Sequence, residues 1–248
     1  MRIYQNILQS KRKQFALLID PDKYSDHETA VAAKDAQHAG VDYLFVGGSL
    51  ITFDNLQSCL EILKSNCEIP IVLFPGSILQ INAAADAILL LSVISGRNPD
   101  LLIGNHVIAA PYLRSSGLEI LPTGYMLIDS EVATTAQYIS NTMPIPREKD
   151  DIAVCTAMAG EMLGLRLIYL DAGSGAHTPV SASMISEVKR NISIPLIVGG
   201  GIRTPEKAFE SCKAGADLVV VGNAVEKNSG FISELAAATH SVTQLVNP

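Results

Sequence analysis

Short runs of Val, Ile and Leu recur along this chain with amphipathic material between them, at Phe15–Ile19, Tyr43–Val46, Ile69–Phe74, Ala87–Val93, Glu119–Ile128, Leu165–Leu170, Ile194–Val198 and Leu218–Val221. They are apolar almost throughout rather than alternating, which is the pattern of strands buried on both faces of a parallel sheet. Several close on Gly, Asp, Ser or Asn, the residues of a strand-to-helix turn. Between them stand helix signals. Ser25-Asp26-His27-Glu28 offers a capping side chain and early acids ahead of Thr29–Ala39, and Gly40 stops that helix. Thr204-Pro205-Glu206-Lys207 repeats the idea, with Thr as cap and Pro at the first helical position.

About eight such strand–helix repeats within 248 residues predict an α/β chain forming one domain, residues 1–248, with the architecture of a (β/α)8 TIM barrel. The third connection departs from the pattern: Phe74–Asn82 is too short and irregular to hold a full barrel helix. A second irregular piece, Asn141–Lys149, is broken by Pro144 and Pro146. Both are expected to be mobile loops over a site.

Charge narrows the partners. A net charge of -7 and a pI of about 5.2 lack the basic character that binds a nucleic-acid backbone, so no nucleic-acid partner is expected. An anionic substrate must then be held by local donors or a metal. Cys59, Cys67, Cys155 and Cys212 lack metal-binding or redox spacing and read as free thiols in a reducing cytoplasm. The first fifteen residues carry no apolar signal-peptide core, and no apolar stretch reaches the roughly 18 residues of a membrane span, which leaves at most peripheral membrane contact.

In a barrel of this kind, side chains at the C-terminal strand ends face the active site. Asp20, after the first run, either binds a hard cation or caps the following helix, and Asp22 faces the same choice; Lys23 is within reach of a phosphate oxygen. Ser49, in Gly47-Gly48-Ser49, either completes a cation's shell or belongs to a plain turn. Asp171 is either a general base or the acceptor of an Asx turn. Three glycine-rich turns, Tyr169–Gly175, Gly199–Arg203 and Gly222-Asn223, each follow an apolar run and together read as a phosphate cradle. Arg97 and Asn98 lie either on a diphosphate's path or in an exposed loop. Arg203 either helps with phosphate or pairs locally, and Tyr125 is a groove wall or core. His106 reads as a helix-face or interface residue rather than a catalyst.

Asp20-Pro-Asp-Lys23, Phe45-Val-Gly-Gly-Ser49, Pro122-Thr-Gly-Tyr125, the Tyr169–Gly175 turn, Gly199–Arg203 and Ala214–Asn223 occur in an order and spacing that resemble the geranylgeranylglyceryl phosphate synthases, the PcrB-like prenyltransferases. The resemblance covers nearly the whole chain, and the Asp-Ala-Gly-Ser-Gly turn is similar to the family's second sequence group. It implies a modified barrel with the third helix replaced or shortened, and a Mg²⁺ cofactor held by Asp20 and Ser49. It further implies that Tyr169, Leu170, Asp171, Ala172, Gly173, Ser174, Gly175, Gly200, Gly201, Gly222 and Asn223 hold sn-glycerol 1-phosphate. A prenyl diphosphate would lie across the mouth with its tail in an apolar groove; Lys23 and Arg97 are the candidate diphosphate contacts, and the apolar face of Ile81–Leu91 is either a wall of that groove or ordinary core. Homo-oligomers, dimers or hexamers, are also implied.

Two departures from the family stand out. Leu18 occupies the place of a lysine in the first group, and Asp171 that of the usual glutamate. The competing reading is another phosphate-binding barrel enzyme, such as a sugar-phosphate isomerase, but the fifth strand ends in Thr123-Gly124-Tyr125 without the lysine such catalysts use. A non-catalytic phosphate-binding barrel is the third.

Overall fold

A computed structural model describes residues 2–53, 55–222 and 230–243. The strands β1 (Gln14–Ile19), β2 (Tyr43–Val46), β3 (Ile71–Leu73), β4 (Ala87–Val93), β5 (Glu119–Leu127), β6 (Leu167–Asp171), β7 (Leu196–Gly199) and β8 (Leu218–Val221) pair in sequence order, all parallel, and β8 closes on β1. The helices are α1 (Ile3–Gln9), α2 (Asp26–Ala39), α3 (Leu56–Asn66), α4 (Asn105–Ser116), α5 (Thr135–Ser140), α6 (Asp150–Met162), α7 (Ala182–Asn191), α8 (Pro205–Ala214) and α9 (Phe231–His240). The strands β3 and β7 start later than their apolar runs, because Pro70 and Pro195 have no N–H to give a ladder.

The caps read from sequence are present. Ser25 and Glu28 form a reciprocal capping box and Gly40 ends α2 at φ 70°; Thr204 caps α8 with Pro205 in its first turn. Between β3 and β4 there is only a 3-10 turn, Ile78–Gln80, so the third barrel helix is replaced as expected. Both irregular pieces make hydrogen bonds to neighbouring strand ends, the first through Phe74 N to Val46 O and Gln80 Nε2 to Gly48 O. Ile145 forms a bridge to Ile128, donating to Leu127 O and accepting from Asp129 N, each at 2.8 Å.

Strand alternation divides the apolar side chains into two cores. Ala16, Phe45, Val72, Leu89, Tyr169 and Ile197 fill the barrel, whereas Leu17, Leu44, Ile71, Ile168, Leu170 and Val198 face the helices. The short α1 closes the bottom of the barrel with Ile3 and Ile7, and Glu119 accepts from the N–H groups of Ile3 and Tyr4 at 2.6 and 3.1 Å.

A repeated device fixes the strand register at this lower end. Asp42, Asp86 and Asp217 directly precede β2, β4 and β8. Each donates its N–H to the carbonyl of a residue at the foot of the preceding strand, Phe15, Ile71 or Leu196, and accepts that residue's N–H on its carboxylate at 2.9, 2.7 and 2.8 Å. Every one of these carboxylates also meets a cation: Arg12 at Asp42, Lys64 at Asp86, and Lys13 and Lys189 at Asp217, while His240 Nε2 stands 2.8 Å from Asp42 Oδ2. At β6 the equivalent place holds Arg166, whose N–H donates to Pro122 O at 2.8 Å. Pro122 has no N–H to satisfy, so no carboxylate is needed there.

Candidate active site

A cavity of about 690 Å³ opens at the C-terminal ends of the strands. One end is polar, lined by Asp20, Ser49, Asp171 and the glycine turns. The other is an apolar arm between the outer face of β4 and α4, with Ile81, Ile88 and Leu90 on one wall and Leu101, Ala109 and Leu113 on the other. The arm exists because no helix fills the place between β3 and β4.

Asp171 ends β6 with its side chain turned into the barrel and is 7% exposed. Its Oδ2 accepts from the Tyr125 hydroxyl at 2.6 Å and its Oδ1 from Gly173 N at 2.7 Å. Burial pushes its carboxyl above the ordinary carboxylate range, and these two hydrogen bonds offset only part of that rise. Burial, then the neighbouring Asp171 charge, drives the Tyr125 phenol well above its ordinary value, so it stays a hydrogen-bond donor. Tyr125→Phe removes a donor that favours the charged carboxylate, so Asp171 should titrate still higher. The acid limb of a kcat–pH profile is therefore expected to move to higher pH in Tyr125→Phe, and a limb that stays put or moves down would show that Asp171 is not the titrating group.

The glycine turns meet around this carboxylate. A Cβ at Gly200, where φ is 78°, would lie 2.5 Å from Asp171 Oδ1 and 2.5 Å from Gly173 N, so only glycine admits the approach. The neighbouring Gly201 lies against the Thr178 backbone just as closely. Arg203 holds the β6 turn from outside, donating to Gly175 O at 3.3 Å and Ala176 O at 2.9 Å. Arg203 thus clamps the cradle through its carbonyls while also lining the cavity.

Asp20 lines the polar end, with its Oδ1 accepting from Asp22 N at 3.2 Å and Lys23 Nζ 3.7 Å from its Oδ2. Gly48 lies so close that a Cβ there would be 3.2 Å from Asp20 Oδ1. Asp22 serves the loop instead, accepting from Thr52 N, Thr52 Oγ1 and Phe53 N at 2.6, 2.8 and 3.3 Å. Burial raises the Asp22 carboxyl, but those bonds outweigh it and leave the group below its ordinary value.

Ser49 is placed by a residue the sequence reading passed over. Gln80, in the 3-10 turn, donates from Nε2 to Gly48 O at 3.0 Å and accepts on Oε1 from Gly76 N at 3.1 Å. A lone buried amide inside the apolar stretch Ile78–Ile81 was the available signal. Among the described residues no cluster of three or more His, Cys, Asp or Glu stands ready for a metal. One carboxylate and one hydroxyl beside a cavity suit Mg²⁺, which takes few protein ligands and completes its shell with substrate phosphate oxygens and water.

The remaining sequence-derived residues separate clearly. Tyr169, Gly173, Ser174, Gly175, Gly200, Gly201, Gly222, Lys23 and Tyr125 all line the cavity. Leu170 and Ala172 point outward into the helix-facing core, and any contact they make with a ligand is through the backbone. Arg97 does not line the cavity; its guanidinium is turned back onto the carbonyls of Ile94 and Gly96 at 3.3 and 2.8 Å. Asn223 lies outside the described residues. His106 is on α4 but faces the cavity, with Nε2 3.1 Å from Ser92 Oγ, and burial lowers its pKa against a smaller upward pull from the Leu91 backbone.

The sequence profile of the PcrB family matches residues 6–239. The chain is 54% identical over 248 residues to the geranylgeranylglyceryl phosphate synthase of Chitinophaga pinensis, covering 99% of this chain and 98% of that one. It is 36% identical over 236 residues to the enzyme of the same name from Methanosphaera stadtmanae, covering 95% and 96% of the two chains. Among solved structures, (S)-3-O-geranylgeranylglyceryl phosphate synthase from Thermoplasma acidophilum, in complex with its substrate sn-glycerol-1-phosphate, superposes with a TM-score of 0.92 at 32% identity, covering 98% of this chain and 100% of that one. An N-acetylmannosamine-6-phosphate 2-epimerase from Clostridium perfringens, at 13% identity and a TM-score of 0.57 over 88% of this chain and 90% of that one, shares the fold alone.

Proposed function

This chain belongs to the PcrB family and is a prenyltransferase that forms geranylgeranylglyceryl phosphate, and we propose that it does so with Mg²⁺ at Asp20 and Ser49 and with Asp171 as the general base. The observation that carries this assignment of roles is the cavity itself. It joins an acidic and hydroxyl-bearing corner, a glycine-lined cradle and an apolar arm in one continuous space.

The cradle formed by Gly173–Gly175, Gly200, Gly201 and Gly222 binds the phosphate of sn-glycerol 1-phosphate through backbone donors. That places its 3-hydroxyl near Asp171, which takes the proton as the oxygen attacks C1 of the prenyl diphosphate. Mg²⁺, when bound, supplies charge neutralisation for the diphosphate leaving group. Lys23 lies beside Asp20 and supplies a further cation there, while Arg97 is assigned no part. The barrel's main contribution is positioning of two substrates that must meet at one carbon.

The prenyl tail lies in the arm between β4 and α4. Ala109, 4% exposed and on the same α4 wall as Leu113, opposite the wall of Ile88 and Leu90, leaves room that a larger side chain would take. Ala109→Trp is expected to shift the preferred substrate from C20 to shorter prenyl diphosphates, read as a change in relative kcat/KM across C10, C15 and C20. An unchanged chain-length profile would place the tail elsewhere.

The homo-oligomer implied by family resemblance is supported by an apolar outer stripe on α4, where Val107, Ile108 and Tyr112 are exposed. Among the described residues no helix is long and apolar enough to cross a membrane. Exposed Phe53, after β2, and Leu79, in the 3-10 turn after β3, support peripheral contact at most. Four free cysteines support a cytoplasmic location.

The test of the whole reading is product formation by mass spectrometry with Mg²⁺ and geranylgeranyl diphosphate, offering sn-glycerol 1-phosphate and sn-glycerol 3-phosphate in parallel. A prenylglyceryl phosphate from the 1-phosphate alone is expected and should disappear with a chelator. Turnover in the presence of chelator would overturn the metal assignment.

A further inference from the structure

Beneath the polar end of the cavity the barrel carries aromatic rings that the base, the metal corner and the cradle leave unexplained. Phe74, just after β3, stacks on Tyr169 of β6 with ring centroids 5.3 Å apart and planes inclined by 20°. Tyr125 of β5 meets both, 6.0 Å from Phe74 and edge-on to Tyr169 at 5.4 Å. All three line the cavity, but their access differs: Tyr125 and Tyr169 are buried, whereas Phe74 is half-buried and presents the most surface to a bound molecule. Its backbone is fixed. Phe74 N donates to Val46 O at 2.8 Å, and its carbonyl lies against Gly47, where a Cβ would sit 2.1 Å away.

This step rests on the prenyl-transfer reading above. If diphosphate is held near Asp20 and Ser49 and the acceptor hydroxyl near Asp171, the reacting carbon passes over this aromatic floor. We propose that Phe74 is a catalytic residue of the transfer, its ring face stabilising the positive charge that develops on the allylic end of the prenyl chain. The C1–O bond breaks and its electron pair leaves with the diphosphate, so the charge spreads over C1 and C3. A lone pair of the glycerol 3-hydroxyl oxygen then forms the new C1–O bond and its proton passes to Asp171, which discharges the cation.

The physical need is specific. A carbocation in a site from which water is excluded has no solvent to stabilise it, and a carboxylate at bonding distance would trap it as an ester. A ring quadrupole attracts a cation without offering it a bond. Phe74 has no hydroxyl to be alkylated, and the one on Tyr125 is engaged with Asp171. The parallel Tyr169 ring beneath Phe74 keeps its orientation, so that little reorganisation is needed when charge appears.

The test replaces Phe74 in the full chain by 4-fluoro-, 3,5-difluoro- and pentafluorophenylalanine, which change ring charge with little change in shape. In each variant kcat is expected to fall stepwise, by about twofold to thirtyfold across the series, while KM for both substrates stays within about twofold. Affinity for an ammonium analogue of the prenyl cation, measured by calorimetry with pyrophosphate present, should fall in the same order, and Phe74→Leu, which has no ring quadrupole, should lie well below the parent on both scales. A flat kcat across the series in an active enzyme would overturn the role of Phe74 alone. No product from the unsubstituted enzyme with any prenyl diphosphate would overturn the transfer reading and this role with it.

Discussion

Asp171→Asn is expected to lower kcat by about a hundredfold to ten-thousandfold, the range for losing a general base, while KM for sn-glycerol 1-phosphate changes little. Asparagine keeps an oxygen for Gly173 N, now 2.7 Å from Asp171 Oδ1, so the turn that shapes the cradle retains its internal bond. What is lost is the proton acceptor. The second oxygen, bonded to the Tyr125 hydroxyl at 2.6 Å, becomes an amide group that cannot take the proton of an attacking alcohol.

A structural role predicts the opposite division. If Asp171 served only to tie the turn, kcat and phosphate affinity would fall together and the midpoint of thermal unfolding would drop. The shorter aspartate in place of the family's usual glutamate does not weaken the case for a base. The barrel brings Gly200 so near that a Cβ there would stand 2.5 Å from the carboxylate, and the whole cradle is built up to the aspartate. Its raised pKa also suits a base, since proton transfer from an alcohol to an ordinary carboxylate is more strongly uphill.

The barrel was readable because its strands are buried on both faces, so each wrote an unbroken apolar run. Tyr43–Val46, Ala87–Val93 and Leu218–Val221 have the boundaries read from sequence. The missing helix was readable for the opposite reason, that Phe74–Asn82 lacks the length to make one. A place beside the cavity was legible where a polar residue type and a strand end coincide, as for Asp20, Ser49 and Asp171.

Side-chain direction was inferable but not used. With Tyr169 and Asp171 facing inward, the period of two sends Leu170 and Ala172 outward, so a block of consecutive residues cannot all be side-chain contacts. The tertiary pairings were out of reach. Nothing near Gln80 in the sequence says that its amide spans Gly48 and Gly76, and nothing near Arg97 says that its guanidinium is used up on Ile94 and Gly96. The Gln80 bond to Gly48 joins loops 32 residues apart that only the pairing of β2 with β3 brings together, whereas the Arg97 bonds are local and depend on a side-chain rotamer that residue type does not fix.

Asp217→Ala is expected to cost about 3–5 kcal/mol of stability, the usual consequence of removing one member of a buried ion pair. Asp217 and Lys13 have side chains only 7% and 8% exposed, with Lys13 Nζ 3.1 Å from Oδ1. Lys189 Nζ reaches Oδ2 at 2.7 Å, and Leu196 N donates to the same oxygen at 2.8 Å. Truncation therefore strands a buried ammonium and an N–H at the foot of β7 at the same time. For a chain of this size the unfolding midpoint should fall by roughly 6–20 °C. Asp217→Asn, which keeps an acceptor for Leu196 but not the charge for Lys13, should fall between the two. Because this cluster lies at the strands' N-terminal ends, kcat and KM measured well below the midpoint should match those of the parent protein. A midpoint that barely moves would mean that Lys13 finds water when its partner is gone, and a selective loss of kcat would mean that the lower end of the barrel is coupled to the cavity at the other.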